Sequence, residues 1–226
     1  SARGELLAQI GDSGSFDSSD RSRSGEPLNS NLAQFFLPAS VDVDESNGEI
    51  YVADGELPGG NTRIAVFNAD GSFQRQWRLH RDDNDNRIEL PHCLRISNDG
   101  LIYVCDRRAD QIQVFDKHGE LQQKIRAPHT PLSDWNGRTS GLRGDTVVLD
   151  FSTDAEQQHL YVVNQNSMTV EVLDRRTGEW ITRFGGGPGR YPGQFELPHG
   201  IAVDSDGNVY VAEQGGRRVQ RFLLRP

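Results

Sequence analysis

The chain lacks long apolar runs, helical periodicity and an excess of basic residues. None of its 226 residues belongs to an uninterrupted stretch of 18 apolar residues, so we expect no membrane-spanning helix. Apolar residues do not recur with the 3.6-residue period of an amphipathic helix, which argues against a helical protein. The 24 Lys and Arg residues are outnumbered by 33 Asp and Glu residues, which gives a net charge of −9. Because phosphate backbones are bound by cationic surfaces, this charge argues against a nucleic-acid partner.

The sequence does contain a repeated unit. The four copies each contain one tyrosine at the same place, and the tyrosines are separated by 52, 58 and 49 residues: Tyr51, Tyr103, Tyr161 and Tyr210. Each copy has short runs of β-branched and aromatic residues joined by Asp/Asn-Gly turns. Four short strands in a unit of about 40–55 residues are typical of a propeller blade. We therefore predict an all-β propeller domain over residues 1–226, with blades that start near residues 37, 90, 144 and 197. A β-sandwich is the alternative, and the regular recurrence of the whole unit argues against it.

The repeats resemble NHL repeats. Their order resembles the peptidyl-α-hydroxyglycine α-amidating lyase family, which is a six-bladed NHL propeller. One blade reads LPASVDVDESNGEIYVADG without histidine, the next reads LPHCLRISNDGLIYVCDRRADQIQVFD, a degenerate blade follows, and the last reads LPHGIAVDSDGNVYVAE. This order matches blades three to six of the family, so the resemblance implies a six-bladed parent ring of which four blades are recognisable. Alternatively, the segment Leu6–Ile10 is the outer strand of the last blade and closes a four-bladed ring.

Two histidines occupy the same place in their repeats, within Leu90-Pro91-His92 and Leu197-Pro198-His199. Each opens the strand that lines the central channel of a propeller, so both imidazoles can reach the channel axis. The resemblance implies a zinc ion bound by three such histidines, of which the first lies in a blade with no match here. We therefore predict His92 and His199 as zinc ligands, with a third ligand from outside the two Leu-Pro-His motifs. The alternative is that the two histidines are channel-lining residues that stabilise the strand starts.

Two more residues follow from the resemblance. Arg107 matches the family arginine after the strand-b aspartate and could bind a substrate carboxylate, and Glu56 stands where the family has a tyrosine and could act as a base. The family's aspartate after the last zinc histidine is Gly200 here. These departures favour a non-catalytic propeller that binds a protein or small ligand on one face. The histidine pair and Arg107 favour a zinc-dependent carbon–nitrogen lyase-like enzyme with a small-molecule or peptide ligand at the channel mouth.

The two cysteines, Cys93 and Cys105, face each other across a predicted hairpin whose turn centres near Asn98 and Asp99. They either form a cross-strand disulfide or are two small buried apolar residues. We expect an extracytoplasmic location, periplasmic or secreted, where a disulfide would persist.

Three other features of the sequence give weaker signals. Residues 12–36 are polar and serine-rich, and they predict a mobile inter-blade loop or linker. The spacing of Asp42, Asp44, Ser46 and Gly48 suggests a calcium loop, but the distal glutamate is missing and a hairpin turn explains the pattern better. The Arg175-Arg176 pair falls in a predicted turn, where we expect solvated side chains.

Overall fold

The computed structural model describes residues 4–81, 89–129 and 145–223, and these residues form β-strands and no helix. The strands are β1 (Pro38–Val43), β2 (Ile50–Asp54), β3 (Arg63–Phe67), β4 (Phe73–Arg78), β5 (Pro91–Ile96), β6 (Ile102–Asp106), β7 (Gln111–Phe115), β8 (Leu121–Arg126), β9 (Thr146–Phe151), β10 (His159–Asn164), β11 (Thr169–Asp174), β12 (Trp180–Phe184), β13 (Pro198–Val203), β14 (Asn208–Glu213) and β15 (Arg218–Leu223).

The strands form four antiparallel sheets, each made of strands that are consecutive in sequence. The first blade is β1–β4, the second β5–β8, the third β9–β12, and the fourth contains β13–β15. The inner strands of consecutive blades contact each other, β1 with β5, β5 with β9 and β9 with β13. The prediction of an all-β propeller with four recognisable blades is thus confirmed.

Each inner strand contains a β-bulge at its second residue. In the second blade Pro91 pairs with Asp106 and Cys93 pairs with Cys105, so the residue between them has no cross-strand partner. The same irregularity occurs in the other three blades, and the four bulged residues are Ala39, His92, Val147 and His199. Because a bulge re-aims the side chain of the extra residue, one residue per blade takes an equivalent position on the inner strand.

The segment that enters each inner strand is anchored by the end of the blade's second strand. In the first blade the Asp54 carboxylate accepts hydrogen bonds from the backbone N–H groups of Phe36 and Leu37, at 3.1 and 2.9 Å. Asp106, Asn164 and Glu213 accept the equivalent bonds in the other blades. Satisfying these N–H groups matters because an unpaired buried donor costs about 1–3 kcal/mol.

The core lies between the blades, where the sheets pack face to face. The cluster between the second and third blades includes Cys93, Cys105, Leu149 and Leu160. Cys93 and Cys105 are paired residues of β5 and β6, and they form a disulfide. The register predicted from the turn is therefore confirmed, and of the two interpretations of the cysteines the structure shows the disulfide.

One prediction about the N-terminal region is wrong. Residues 6–10 form no strand of the last blade; instead, Ile10 packs against the cluster of Val52, Ala65 and Phe67 in the first blade. Residues 12–36 contain none of the named strands and pack on the first blade: Asp17 is buried and forms an ion pair with the fully buried Arg63 at 3.3 Å. Polar groups of this segment are thus used for pairing with the first blade.

The prediction that Arg175 is solvated is also wrong. Its side chain is 1% exposed and forms a two-pronged ion pair with Asp99 of the second blade, at 2.9 and 3.0 Å. It also donates to the Tyr103 hydroxyl at 3.1 Å and to the carbonyl of Gln157 at 2.9 Å. Arg175 therefore joins the third blade to the second.

Candidate functional site

The two predicted histidines lie side by side. Their ring centroids are 5.4 Å apart and the rings are inclined at 73°. They come from the bulge positions of β5 and β13, two blades apart, with the bulged Val147 of β9 between them along the ring. His92 is buried, while His199 is half-buried. The shared bulge position therefore brings His92 and His199 into contact.

A second set of residues lies at the end of the channel next to the histidines. In each blade, a residue that closely follows the second strand donates its backbone N–H to the carbonyl of a residue that precedes the inner strand. These residues are Glu56, Arg107, Gln165 and Gln214, and the carbonyls are those of Leu37, Leu90, Asp145 and Leu197. Since the backbone positions are equivalent, we call these four residues the mouth residues. They supply one carboxylate, one guanidinium and two amides.

His92 is held in a defined orientation. Its Nδ1 lies 2.7 Å from the carbonyl oxygen of Val147, and because a carbonyl only accepts, Nδ1 carries the proton. Burial lowers the pKa of His92, so the imidazole is neutral at pH 7 and Nε2 presents a lone pair. That buried Nε2 lies 3.0 Å from Oε2 of Glu56 without a well-aligned hydrogen bond. Two acceptor atoms at this distance require a proton or a cation between them.

Arg107 is fixed by the third blade. Its Nε and Nη2 lie 2.8 and 3.1 Å from the two carboxylate oxygens of Asp145, and Nη2 lies 3.3 Å from Oε1 of Gln165. Burial by itself would lower the pKa of Arg107, but the hydrogen bonds that Arg107 donates to Asp145 outweigh it and the pKa is raised. Nη1 points to the other side, 3.6 Å from Oε1 of Glu56. Glu56 therefore lies between Arg107 and His92.

The donor set for a metal ion consists of two imidazoles with Glu56 beside them. Within the described residues, no group of three or more His, Cys, Asp or Glu side chains is arranged to hold a metal ion. The candidate calcium loop forms a hairpin turn instead: the Asp44 carboxylate accepts hydrogen bonds from the backbone and hydroxyl of Ser46 and forms an ion pair with Lys117. These partners satisfy the carboxylate without a metal ion.

The structure brings together all four residues singled out in the sequence, Glu56, His92, Arg107 and His199. The sequence analysis missed Asp145, which fixes Arg107, and the two glutamines among the mouth residues. A signal for the glutamines is present, because Gln165 and Gln214 each directly follow the residue that ends the second strand of a blade, as Arg107 follows Asp106. Asp145 directly precedes β9 in the most divergent repeat, which lacks the Leu-Pro motif that marks the start of the other inner strands. Its equivalence to residues of the other blades was therefore not visible in the sequence.

The repeats match a known family. The family model "NHL repeat" matches residues 90–115 and 195–222, which cover the inner parts of the second and fourth blades. The second and fourth blades of this propeller thus contain NHL repeats. The two matched segments are those that contain the Leu-Pro-His motifs and both histidines.

Several curated proteins are similar to this NHL-repeat propeller. Peptidyl-glycine alpha-amidating monooxygenase B of Xenopus laevis is 30% identical over 198 residues, which is 85% of this chain and 21% of that protein. Peptidyl-alpha-hydroxyglycine alpha-amidating lyase 1 of Drosophila melanogaster is 27% identical over 85% of this chain and 36% of its own length. The human NHL repeat-containing protein 3 is 29% identical over 85% of this chain and 51% of its own length. The chain thus spans between about a fifth and about half of these relatives, and its similarity to the amidating enzymes is distant.

Among solved structures, the chain is similar to Kuenenia stuttgartiensis hydrazine synthase, with a TM-score of 0.56 and 15% identity over 81% of this chain and 45% of that one. At this identity the likeness concerns the fold alone. The described residues include no helix long and apolar enough to cross a membrane.

Proposed function

We propose that this NHL-repeat propeller binds a zinc ion through His92 and His199 and receives a small-molecule or peptide ligand at the channel mouth, where Glu56 and Arg107 act in a carbon–nitrogen lyase-like reaction. The observation that carries the proposal is the contact between Nε2 of His92 and Oε2 of Glu56, two acceptors 3.0 Å apart beside a second imidazole. A cation bound there would satisfy both atoms. Glu56 lies outside the two Leu-Pro-His motifs and is the candidate third ligand or the base.

The donor set suits zinc better than calcium, because neutral imidazoles are favoured zinc ligands and calcium takes oxygen ligands. The Nδ1–H bond of His92 to Val147 leaves Nε2 as the ligand atom, and such an outer hydrogen bond typically fixes a metal-binding imidazole. Zinc bound here would act as a Lewis acid toward a ligand oxygen.

The remaining chemistry comes from the mouth residues. A ligand of the peptidyl-hydroxyglycine type breaks down when a base removes its hydroxyl proton: the C=O bond forms, the C–N bond breaks, and the amide nitrogen leaves with a proton. In this reaction Glu56 is the base that accepts the hydroxyl proton and passes it to the leaving amide nitrogen. Nη1 of Arg107 faces the same space and can donate to a ligand carboxylate while Asp145 holds the guanidinium in place.

A specific observation favours a second candidate, a non-catalytic propeller that binds a protein or small ligand on this face. Arg107 already bonds Asp145 with two nitrogens and faces Glu56 with the third, so little of its fork remains free for a substrate. For either candidate we propose an extracytoplasmic location, supported by the Cys93–Cys105 disulfide.

Metal analysis of the purified protein tests the zinc site. After incubation with zinc and dialysis, we expect close to one zinc ion per chain by plasma mass spectrometry. Replacement of both histidines, His92→Ala with His199→Ala, should abolish zinc binding and leave the β-sheet circular dichroism unchanged. The matched control is His118→Ala, which removes an exposed histidine from a turn and should keep the zinc.

Two further outcomes separate the candidates. A double variant that unfolds, together with a parent protein that binds no zinc, would show that the histidines are structural and would end the enzyme proposal. Zinc-loaded protein that binds a peptidyl-hydroxyglycine without cleaving it would support the non-catalytic candidate. Cleavage that is lost in Glu56→Gln while zinc is retained would assign the base.

A further inference from the structure

A cavity of about 540 Å³ lies against the fourth blade, next to the mouth residue Gln214. Its walls are the segment before the inner strand, with Arg190, Glu196 and Leu197, and the turn between β14 and β15, with Gly215, Gly216 and Arg217. The two glycines keep the cavity open, since a Cβ on Gly215 would approach the Glu196 side chain to 2.7 Å. Gln214 is the one mouth residue that lines this cavity, and the lining includes none of Glu56, His92, Arg107 and His199.

The cavity adjoins the histidine site through the backbone. The N–H of Gln214 donates to the carbonyl of Leu197 at 2.9 Å, and Leu197 is separated from His199 only by Pro198. Leu197 has a φ of 52°, a left-handed conformation that is costly for a bulky residue. Leu37 and Leu90, at the same place in the first and second blades, are not among the residues with positive φ. Strain of this kind is concentrated at ligand-binding positions, where surrounding structure maintains it.

The charges of the cavity leave one cation available. Glu196 is paired with Arg190 at 2.7 Å, and the buried Glu213 is paired with Arg218 at 2.6 Å. Arg217 is exposed, and within the described parts of the chain its side chain has no hydrogen bond or ion pair. The side chain of Gln214 is likewise exposed and unpaired among those residues. A guanidinium and an amide thus face a cavity whose one lining carboxylate, that of Glu196, is neutralised, as is the nearby Glu213.

We propose that this cavity is a subsite for an acidic group, and that Arg217 and Gln214 select a ligand with a carboxylate side chain adjacent to the part held at the histidine site. The inference rests on the proposed function for the location of the ligand, but it makes a separate claim about ligand charge. A guanidinium donates two parallel hydrogen bonds to a carboxylate, and the Gln214 amide adds a third donor. The overall charge of −9 repels anions, so the preference has to come from a local cation.

The test is calorimetric titration of two matched peptides, N-acetyl-Glu-Gly and N-acetyl-Gln-Gly, against the zinc-incubated full chain. We expect the glutamate peptide to bind about tenfold more tightly, because a hydrogen bond between charged groups is stronger than one to a neutral amide. Arg217→Ala should remove this preference and leave the affinity for the glutamine peptide unchanged. The matched control is Arg176→Ala, which removes an exposed arginine that does not line the cavity. This variant should keep the preference.

The outcomes distinguish the subsite from the zinc site. Equal affinity of the wild-type protein for both peptides, an undiminished preference in Arg217→Ala, or no binding of either peptide would overturn the subsite. A preference that depends on Arg217 in protein that retains no zinc would support the subsite and contradict the zinc-dependent function. Raising the salt concentration should weaken the binding of the glutamate peptide more than that of the glutamine peptide.

Discussion

Individual arginines connect neighbouring blades of this propeller, although their place in the sequence indicates only turns or strand surfaces. Arg175 lies in a polar turn, yet it is buried and joins two blades through Asp99 and Tyr103. Its guanidinium also lies 5.9 Å from the centroid of the Tyr103 ring. Arg75 lies 5.6 Å from the Tyr51 ring of its own blade, and it reaches the second blade by donating to the carbonyl of Lys117 at 2.8 Å. Local sequence predicts a turn, but it does not show that the next blade covers the turn.

The first prediction at the residue scale concerns Arg175. Arg175→Ala removes a buried cation and leaves the carbonyls of Glu156 and Gln157 and the Tyr103 hydroxyl without this donor. We expect a loss of about 2–4 kcal/mol in the free energy of unfolding, measured by urea denaturation. Arg176→Ala, at the neighbouring exposed position, should change it by less than about 0.5 kcal/mol. Equal small effects of both substitutions would contradict the inter-blade role of Arg175.

The site residues show which part of the molecule can be inferred from one sequence. His92 and His199 were identified because their tripeptides recur, and Arg107 and Glu56 because the resemblance points to their positions. Their mutual contacts were not predictable, since these depend on how the blades are placed around the channel. Asp145 lies beyond sequence reasoning for the same reason, because it is 38 residues from Arg107 in sequence and their contact joins two blades.

At the scale of the strand, the alternation of apolar residues predicts the strands well, and the turn centres predict their register. The Cys93–Cys105 pair followed from one turn position. The bulges at the second residue of the inner strands were not predicted, because a bulge requires one extra residue in one strand and no side-chain pattern marks it. Yet the bulges determine where His92 and His199 lie, so an element-level irregularity decides the geometry of the site.

The disulfide leads to a prediction at the same scale. It joins β5 to β6 one residue after His92 and two residues before Arg107, so it ties together the strands that carry both side chains. Replacing both cysteines, Cys93→Ala with Cys105→Ala, should lower the free energy of unfolding by about 2–3 kcal/mol, because the closed loop is short. Urea denaturation of the wild-type protein with reductant should give a similar loss, while the double variant should not respond to reductant. A wild-type protein indifferent to reductant under unfolding conditions would indicate that the bond does not form.

At the scale of the whole molecule, the blades are held together by carboxylates as well as by the apolar clusters between them. Glu49 of the first blade bonds two nitrogens of Arg75, at 3.0 and 2.8 Å, and Arg75 donates to the carbonyl of Lys117 in the second blade. Asp99 pairs with Arg175 between the second and third blades, and the pKa of Asp99 is lowered: burial opposes the shift, but the hydrogen bonds from Arg175 prevail. The contacts between consecutive blades therefore depend on the ionised state of these carboxylates.

This dependence predicts acid lability with a defined sign. Burial alone would raise the pKa of Glu49, but the hydrogen bonds from Arg75 and Tyr51 lower it from 4.5 to about 2. Because the folded state binds the proton more weakly than the unfolded state, this contribution is complete above about pH 4.5 and is lost as the pH falls toward 2. Urea denaturation between pH 6 and pH 2 should show this decline, and Glu49→Gln should flatten it while lowering stability at pH 6. Glu45→Gln, which changes an exposed carboxylate in the adjacent turn, should leave the profile as it is in the wild-type protein. If Glu49→Gln keeps the wild-type slope, the acid dependence arises from other groups and the bridge through Arg75 contributes little to holding the first two blades together.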